Sequence, residues 1–320
     1  MKVTLDLTKL LEEGKITQAE FDKFSGLSAQ GIGLLAFNIL VGFGVLAVSV
    51  GVVALVPTPV TAAVVGAMVF AFGLVLVLMR AEEWKLLGQI CVVVGALIFG
   101  GGVIALDEGS LRALALVTAV FVAASIAARS GLLMVAAVLA LASCIGASTS
   151  YWHASYELAI TEPTLTIVVF SLLALGTYYL SKRLKSDHEH LALMAARTSV
   201  FMVNFGFWVG SLWGDRLILI RSLWDASAHP GAGLARILIP APLFAVGWAL
   251  ALLFTGIWAV RANRRWAVNV VAVFAAIHFY TQWFDRLGPT PISFLLGGLL
   301  MLAFAIGLGA FNRRSQKLTT

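Results

Sequence analysis

Residues 84–106 read WKLLGQICVVVGALIFGGGVIAL, and after Lys85 this stretch contains no charged side chain. At about 1.5 Å per residue, a helix of this length is roughly 34 Å long and can cross the ~30 Å of hydrocarbon in a bilayer. Lipid offers no partner for backbone N–H and C=O groups, so only helices and closed barrels span it. A long apolar run without alternation therefore predicts a transmembrane helix.

Nine further runs have the same character, and hydrophobic residues make up 60% of the chain while charged residues make up 12%. That charged share is about half of what a soluble domain carries. The sequence therefore predicts an all-α, polytopic transmembrane helix bundle of about ten spans. The runs are 31–56, 59–79, 84–106, 110–128, 130–147, 163–180, 198–213, 237–260, 266–284 and 291–311.

The basic residues follow the gaps between these runs. Seventeen of the 22 Lys and Arg residues fall in alternate gaps and at both ends, and five fall in the other gaps. Since cytoplasmic loops carry the excess of Lys and Arg, both termini are predicted to be cytoplasmic. The same asymmetry accounts for the basic pI, so the expected partner of these charges is the lipid bilayer and no nucleic acid is expected.

Residues 1–30 are predicted to form a cytoplasmic amphipathic helical hairpin, residues 31–311 the transmembrane bundle, and residues 312–320 a basic cytoplasmic tail. A first helix over Thr4–Glu13 is expected to end at Gly14. Thr17 and Glu20 have the spacing of a capping box that opens a second helix. The hairpin either packs on the ends of the bundle or offers residues 1–26 to a cytoplasmic partner. The first run is too long for a signal-peptide core, so no cleavable signal is expected.

Three features of the runs predict local structure. Arg129 alone separates the fourth and fifth runs, which predicts a tight helical hairpin. Residues 217–223 form an apolar piece that lies at the interface or re-enters the membrane. Small residues recur at helical spacing, which allows close helix packing, and Gly100–Gly102 predicts either a helix break or a close approach.

Polar residues inside the runs are few, and no Asp, Glu, Lys or Arg lies deep in any of them. This argues against a carboxylate-based ion antiporter, because intramembrane charges commonly mark ion pathways. His278 lies about 18 Å into the ninth run at the helical rise. It is either a neutral histidine bonded to a neighbouring helix or a group that handles protons. Asn204 is a further deep polar residue.

The end of the ninth run is the most polar and aromatic helix end in the chain. Tyr280 fits an interfacial aromatic belt, and Asp285 and Arg286 either cap the helix or face the outer loops, one of which contains Asp215. The candidate substrate-binding residues are His278, Asn204, Tyr280, Asp285 and Arg286.

No P-loop, dinucleotide fingerprint, nucleophile elbow or CxxC motif is present. His188, Glu189 and His190 lack the spacing and ligand count of a zinc motif. No catalytic residue, metal or cofactor is expected, and the protein is not expected to be an enzyme.

Three pieces of the sequence resemble the bacterial predicted membrane protein families of unknown function. These are the Leu-rich Gly-x-Ile-Thr opening at Leu10–Glu20, the glycine-rich Gly100–Leu106, and the segment from Phe279 to Gly298 with its Phe-Tyr, Phe-Asp and Leu-Leu-Gly-Gly pieces. The resemblance implies a helical bundle in a bacterial cytoplasmic membrane and brings no activity or site residues with it.

Two functional hypotheses remain from the sequence. The first is a small-molecule permease, suggested by the number of runs, the small-residue helix faces and the polar ninth run. The second is a non-transporting scaffold or envelope-associated regulatory component that acts through protein partners. It is suggested by the charge-free interior and by the N-terminal hairpin.

Overall fold

The structure is a computed structural model that describes residues 10–11, 13–79, 84–152, 155–216 and 238–317. This part of the chain contains ten long helices and one antiparallel β-hairpin of strands β1 (Ala147–Trp152) and β2 (Ser155–Ile160). The helices are α1 (Gln18–Leu55), α2 (Pro59–Leu78), α3 (Lys85–Leu106), α4 (Leu111–Ala128), α5 (Gly131–Cys144), α6 (Pro163–Ser181), α7 (Ser186–Trp213), α8 (Ala241–Arg261), α9 (Arg265–Leu287) and α10 (Pro291–Lys317).

Eight of these helices are long and apolar enough to cross a membrane, which confirms the all-α class and makes the chain an integral membrane protein. The exposed side chains of these helices support the same conclusion. Large apolar residues such as Leu40, Leu172 and Phe254 are 72%, 66% and 67% exposed, whereas water-soluble monomers rarely expose large apolar surfaces. Helix α5 has 14 residues, about 21 Å in length, and α10 carries its apolar part over Pro291–Gly307. Ten spans and cytoplasmic termini stay predictions.

The chain divides into two compact units. The first comprises residues 1–141 and 180–194, and the second comprises residues 142–179 and 195–320. This division passes through helices α5, α6 and α7. The sequence-based division at residues 30 and 311 stays a prediction about the membrane boundary.

Helices α2 and α3 of the first unit approach so closely that backbone contacts backbone. A Cβ atom added at Gly66, Gly95 or Gly102 would lie 2.2 to 2.4 Å from a backbone nitrogen of the facing helix. Only glycine fits such a contact, because no real Cβ comes that near to another atom. The close approach predicted at Gly100–Gly102 is confirmed at Gly102, and α3 continues without a break to Leu106.

The core of the first unit lies where α3, α4 and α5 meet. Val92, Val117 and Leu133, one from each helix, are at most 1% exposed and pack in one cluster. Phe121 of α4 fits against Gly100, where a Cβ would lie 2.8 Å from the ring. Small residues on α3 therefore make room for the aromatic ring on α4.

The turn between α4 and α5 is as tight as predicted. Helix α4 ends at Ala128, Arg129 adopts a left-handed backbone with φ of +51°, and α5 begins at Gly131. The backbone N–H groups of Arg129 and Ser130 both donate to the carbonyl of Ser125, which satisfies helix-end groups in the manner of an αL C-cap.

The N-terminal region agrees with the sequence where it is described. Gly14 has a φ of +66° and its N–H donates to the carbonyl of Leu11, so the first helix ends where expected. The capping box is confirmed, because Thr17 and Glu20 exchange side-chain to backbone hydrogen bonds. The second helix is the start of α1, which runs unbroken to Leu55. Residues 4–9 and 12 of the predicted first helix lie outside the described residues.

Two elements differ from the sequence-based boundaries. Helix α7 begins at Ser186, ahead of the apolar run at Thr198, because hydropathy marks only the apolar part of a helix. His190 in its polar first part lies against Gly131, where a Cβ would be 2.8 Å from the imidazole. The gap between the predicted runs 130–147 and 163–180, which was expected to be an outer loop, contains the β-hairpin, whose β-branched and aromatic residues favour strands. Residues 217–223 lie outside the described part.

Candidate functional site

Trp248 on α8 is the centre of the polar interior of the second unit. Its side chain is completely buried, and its indole Nε1–H donates a hydrogen bond of 3.0 Å to Oδ1 of Asn204 on α7. The amide of Asn204 also donates from Nδ2 to the carbonyl of Val200, one turn earlier, at 2.8 Å. A buried indole N–H requires an acceptor, so this pair fixes α8 against α7 at one height.

His278 on α9 packs against the same indole. The two ring centroids are 4.9 Å apart with an interplanar angle of 74°, an edge-to-face contact. The Nδ1 atom of His278 is buried and has no hydrogen-bond partner among the residues that the structure describes. Trp248, which the sequence analysis did not single out, therefore joins the two predicted site residues Asn204 and His278.

Aromatic packing around Trp248 limits the movement of its side chain. Phe274 is 2% exposed and contacts the rings of Trp248, Phe205 and Phe201. Nearby, the indole N–H of Trp208 donates to Oγ1 of Thr281 at 3.1 Å and ties α7 to α9 a second time. The three helices α7, α8 and α9 thus share an aromatic core.

A cavity of about 320 Å³ lies on the Asn204 side of Trp248, between α6, α7, α8 and α9. No charged side chain is among the described residues that line it, and most of its wall is apolar. A volume of this size is at the lower end of small-molecule sites. Its polar and indole-bearing lining residues are Ser171, Asn204, Thr255, Trp248, Trp258 and Trp266.

The guanidinium of Arg197 lies next to one wall residue of the cavity, Trp266. Its Cζ lies 5.3 Å from the centre of the Trp266 ring, a distance that allows a cation–π contact. A positive charge is therefore held next to the cavity without being one of its lining residues.

His278 lines two grooves, both formed by α8 and α9. One has a volume of about 520 Å³ and contains Gln282 and Arg286, and we call it the α8–α9 groove; the other has a volume of about 610 Å³ and contains Gly256. Leu252 and Val271 line both the second groove and the cavity, and they therefore separate the two. Trp248 lines the cavity and contacts the ring of His278, which lines both grooves.

The remaining predicted site residues lie at the end of α9 with different surroundings. Arg286 is exposed and lines the α8–α9 groove in register with Gln282 and His278, at successive spacings of four residues. Tyr280 is 39% exposed and its ring packs against Phe284 at 4.5 Å. Asp285 is exposed. The structure brings His278 together with Asn204 and, in the groove, with Arg286, and it brings neither Tyr280 nor Asp285 to these surfaces.

Two buried carboxylates lie at the start of α6, and the sequence analysis did not assign them to the site. Glu162 is 3% exposed, and Asp215 is 1% exposed and accepts a 2.7 Å hydrogen bond from the backbone N–H of Thr164. The backbone of Asp215 pairs with that of Ile239 in both directions at 2.9 Å. A carboxylate at a helix N-terminus is favourable, so Asp215 caps α6 from 51 residues away. The Glu162–Pro163 start of an apolar run was the available sequence signal.

Among the described residues, no group of three or more His, Cys, Asp or Glu side chains is placed so that it could hold a metal ion. The comparisons give no relative, because no family model, no curated protein and no solved structure matches this chain.

Proposed function

We propose that the chain is a non-enzymatic, small-molecule permease of a bacterial cytoplasmic membrane, and that its substrate passes beside Trp248. The observation that carries the proposal is a cavity that lies next to a groove and shares the wall residues Leu252 and Val271 with it. Asn204 and Trp248 line the cavity, and the Trp248 ring contacts His278, which lines the groove. The proposed location, a bacterial cytoplasmic membrane, is the one that the family resemblance of the sequence implies.

The cavity suggests the chemistry of the substrate. Its lining offers hydroxyl, amide and indole groups and no charge among the described residues, and an unpaired ion in such a site would be costly to desolvate. The proposed substrate is therefore a small, uncharged and mostly apolar molecule with one or two polar groups. Stacking on Trp258 or Trp266 favours a flat or aromatic one.

The wall that the cavity shares with the groove suggests how passage is controlled. Trp248 must turn or shift for the cavity to open towards His278, and that movement breaks its hydrogen bond with Asn204. The bond is replaced without loss if the substrate offers an acceptor to the indole N–H and a donor to Oδ1 of Asn204. Substrate binding would then favour the open state, because a ligand shifts an equilibrium only by its differential affinity for the two states.

The first experiment screens the purified full chain in detergent for thermal stabilisation by neutral metabolites, aromatic compounds, amino acids, sugars and ions. A ligand at 100 times its dissociation constant adds about 2.7 kcal/mol to stability. Compounds that stabilise the protein are then tested for uptake into proteoliposomes. We expect Trp248→Phe, which lacks the indole N–H, to reduce both effects, and Trp213→Phe at an exposed position of α7 to change neither.

The competing hypothesis is a non-transporting scaffold, favoured by the capping box that opens α1. A well-defined N-terminal helix leading directly into a span suits a protein that docks a cytoplasmic partner through residues 1–26. No stabilising compound in the screen and no uptake above that of protein-free liposomes would contradict the permease. Loss of cellular function on deletion of residues 1–26, with insertion intact, would support the scaffold.

A further inference from the structure

We propose that the α8–α9 groove is a binding site for an anionic phospholipid, with its phosphate on Arg286 and one acyl chain along the apolar wall. The groove also lies at one end of the proposed substrate path, because His278 lines it, but the binding of a lipid there does not depend on transport. It rests on the distribution of polar and apolar groups along one face of α9 and the facing side of α8.

The cationic end of the groove is Arg286. Its side chain is exposed, lines the groove, and forms no ion pair with any carboxylate of the described residues. Arginine binds phosphate through two parallel N–H donors, which suits a headgroup better than a single point charge does. Position 286 is one residue from the end of α9 at Leu287, so the guanidinium is placed at a helix end, where phosphates of a bilayer are found.

The next polar group inward is Gln282, one helical turn or about 6 Å from Arg286 along the axis. Its Nε2 atom is buried and has no hydrogen-bond partner among the described residues. A buried donor without a partner is costly. The ester carbonyls of a phospholipid lie about one helical turn below the phosphate. One of them can accept a hydrogen bond from this amide when the Gln282 side chain turns its Nε2 towards the groove that it lines.

Beyond Gln282 the wall is apolar except for His278, and its far side is formed by small residues. Ala245 and Ala249 of α8 are one turn apart and leave a channel beside α9, and Val246, which lines the same groove, is 59% exposed. An acyl chain is the natural occupant of an apolar channel that continues from a phosphate and an ester. A free phosphate would leave this channel and the amide of Gln282 unused.

The test measures retained lipid on the purified full chain by native mass spectrometry, after equilibration with equal amounts of dioleoyl phosphatidylglycerol and dioleoyl phosphatidylcholine. We expect a preference of about fivefold for the anionic lipid. This factor corresponds to the usual attraction of one Arg side chain to an anionic membrane surface. Arg286→Ala should abolish the preference and Gln282→Leu should reduce it. Arg286→Lys keeps the charge and should retain part of it, which separates loss of the site from misfolding.

Arg112→Ala is the matched control, because Arg112 is also an exposed arginine near a helix end but lies in the first unit. It should leave the preference unchanged. Equal retention of both lipids by the natural chain would overturn the proposal, and so would a preference that survives in Arg286→Ala. Glycerol phosphate, which has no acyl chains, should not compete with the lipid; full competition would show a phosphate site instead of a lipid site.

Discussion

The indole Nε1–H of Trp248 and Oδ1 of Asn204 form a hydrogen bond of 3.0 Å across 44 residues of sequence, with the indole fully buried. Each group is the other's partner in an apolar interior. A single substitution therefore leaves one buried polar atom unsatisfied, whereas a double substitution removes both. This difference between the single and double substitutions allows the coupling energy of the pair to be measured.

We expect Trp248→Phe and Asn204→Leu each to lower the free energy of unfolding by about 1–3 kcal/mol beyond any packing change. The double variant should be more stable than the sum of the two losses predicts, with a coupling of about 0.5–3 kcal/mol. Denaturant unfolding in detergent measures the cycle. Trp213→Phe, at a position that is 71% exposed, is the control. Strict additivity would mean that the bond contributes nothing.

The glycines of α3 offer a comparison of adjacent positions. Gly102→Ala places a Cβ 2.4 Å from the backbone nitrogen of Ala63, while a Cβ at Gly101 meets nothing within 4 Å. We expect Gly102→Ala to destabilise the chain by about 1–3 kcal/mol through overpacking. Gly101→Ala should stabilise it by about 0.5–1 kcal/mol through helix propensity. Thermal unfolding of the two variants decides, and equal effects would contradict the backbone contact.

The cap of α6 is expected to depend on the side chain of Asp215. Asp215→Ala leaves the half-buried N–H of Thr164 without this acceptor, and we expect the free energy of unfolding to fall by about 1–3 kcal/mol. Asp215→Asn keeps an acceptor oxygen and should lose less. Asp285→Ala, which removes an exposed carboxylate near the end of α9, should have little effect. If the three variants unfold together, Asp215 does not cap the helix.

The first turn of α1 should respond to acid through Glu20. Hydrogen bonds to its carboxylate from the backbone N–H of Thr17, and then from the Thr17 hydroxyl, hold the pKa of Glu20 below its ordinary value. Because the folded pKa is lowered, the contribution of the capping box is present above the ordinary pKa of a glutamate. It is lost as the pH falls through the lowered value.

Hydrogen exchange of the backbone amides of Glu20 and Phe21 measures this fraying against pH. Glu20→Gln supplies the control, since glutamine also fits the N3 position of a capping box but does not titrate. The variant should show no acid-induced step in this turn. A step of the same size in the variant would assign the change to another group.

The helices were predictable because their apolar runs are long and their ends are marked by residues such as Thr17, Pro59, Arg129 and Pro163. These are local signals. The start of α7 was harder to predict from the sequence, because its first turns contain polar residues such as His188 and Glu189, and a hydropathy pattern detects only apolar segments. The strands at 147–160 were hidden in what read as an outer loop.

The candidate site was predictable only in part. His278 and Asn204 stand out as polar residues in apolar runs, which is a property of the sequence. Their connection through Trp248 depends on the rotation of α7, α8 and α9 about their axes, and no local pattern specifies it. A tryptophan in a membrane helix is usually an interfacial anchor, and only the tertiary arrangement shows Trp248 to be a buried donor.

The interface of α2 and α3 has a mechanical consequence. Where Gly66, Gly95 and Gly102 meet the opposite backbone, there are no rotamers that can readjust and so no way for one helix to slide along the other in small steps. The two helices must therefore tilt or translate together as one rigid body. Any flexing of the first unit has to take place at its other helix contacts and loops.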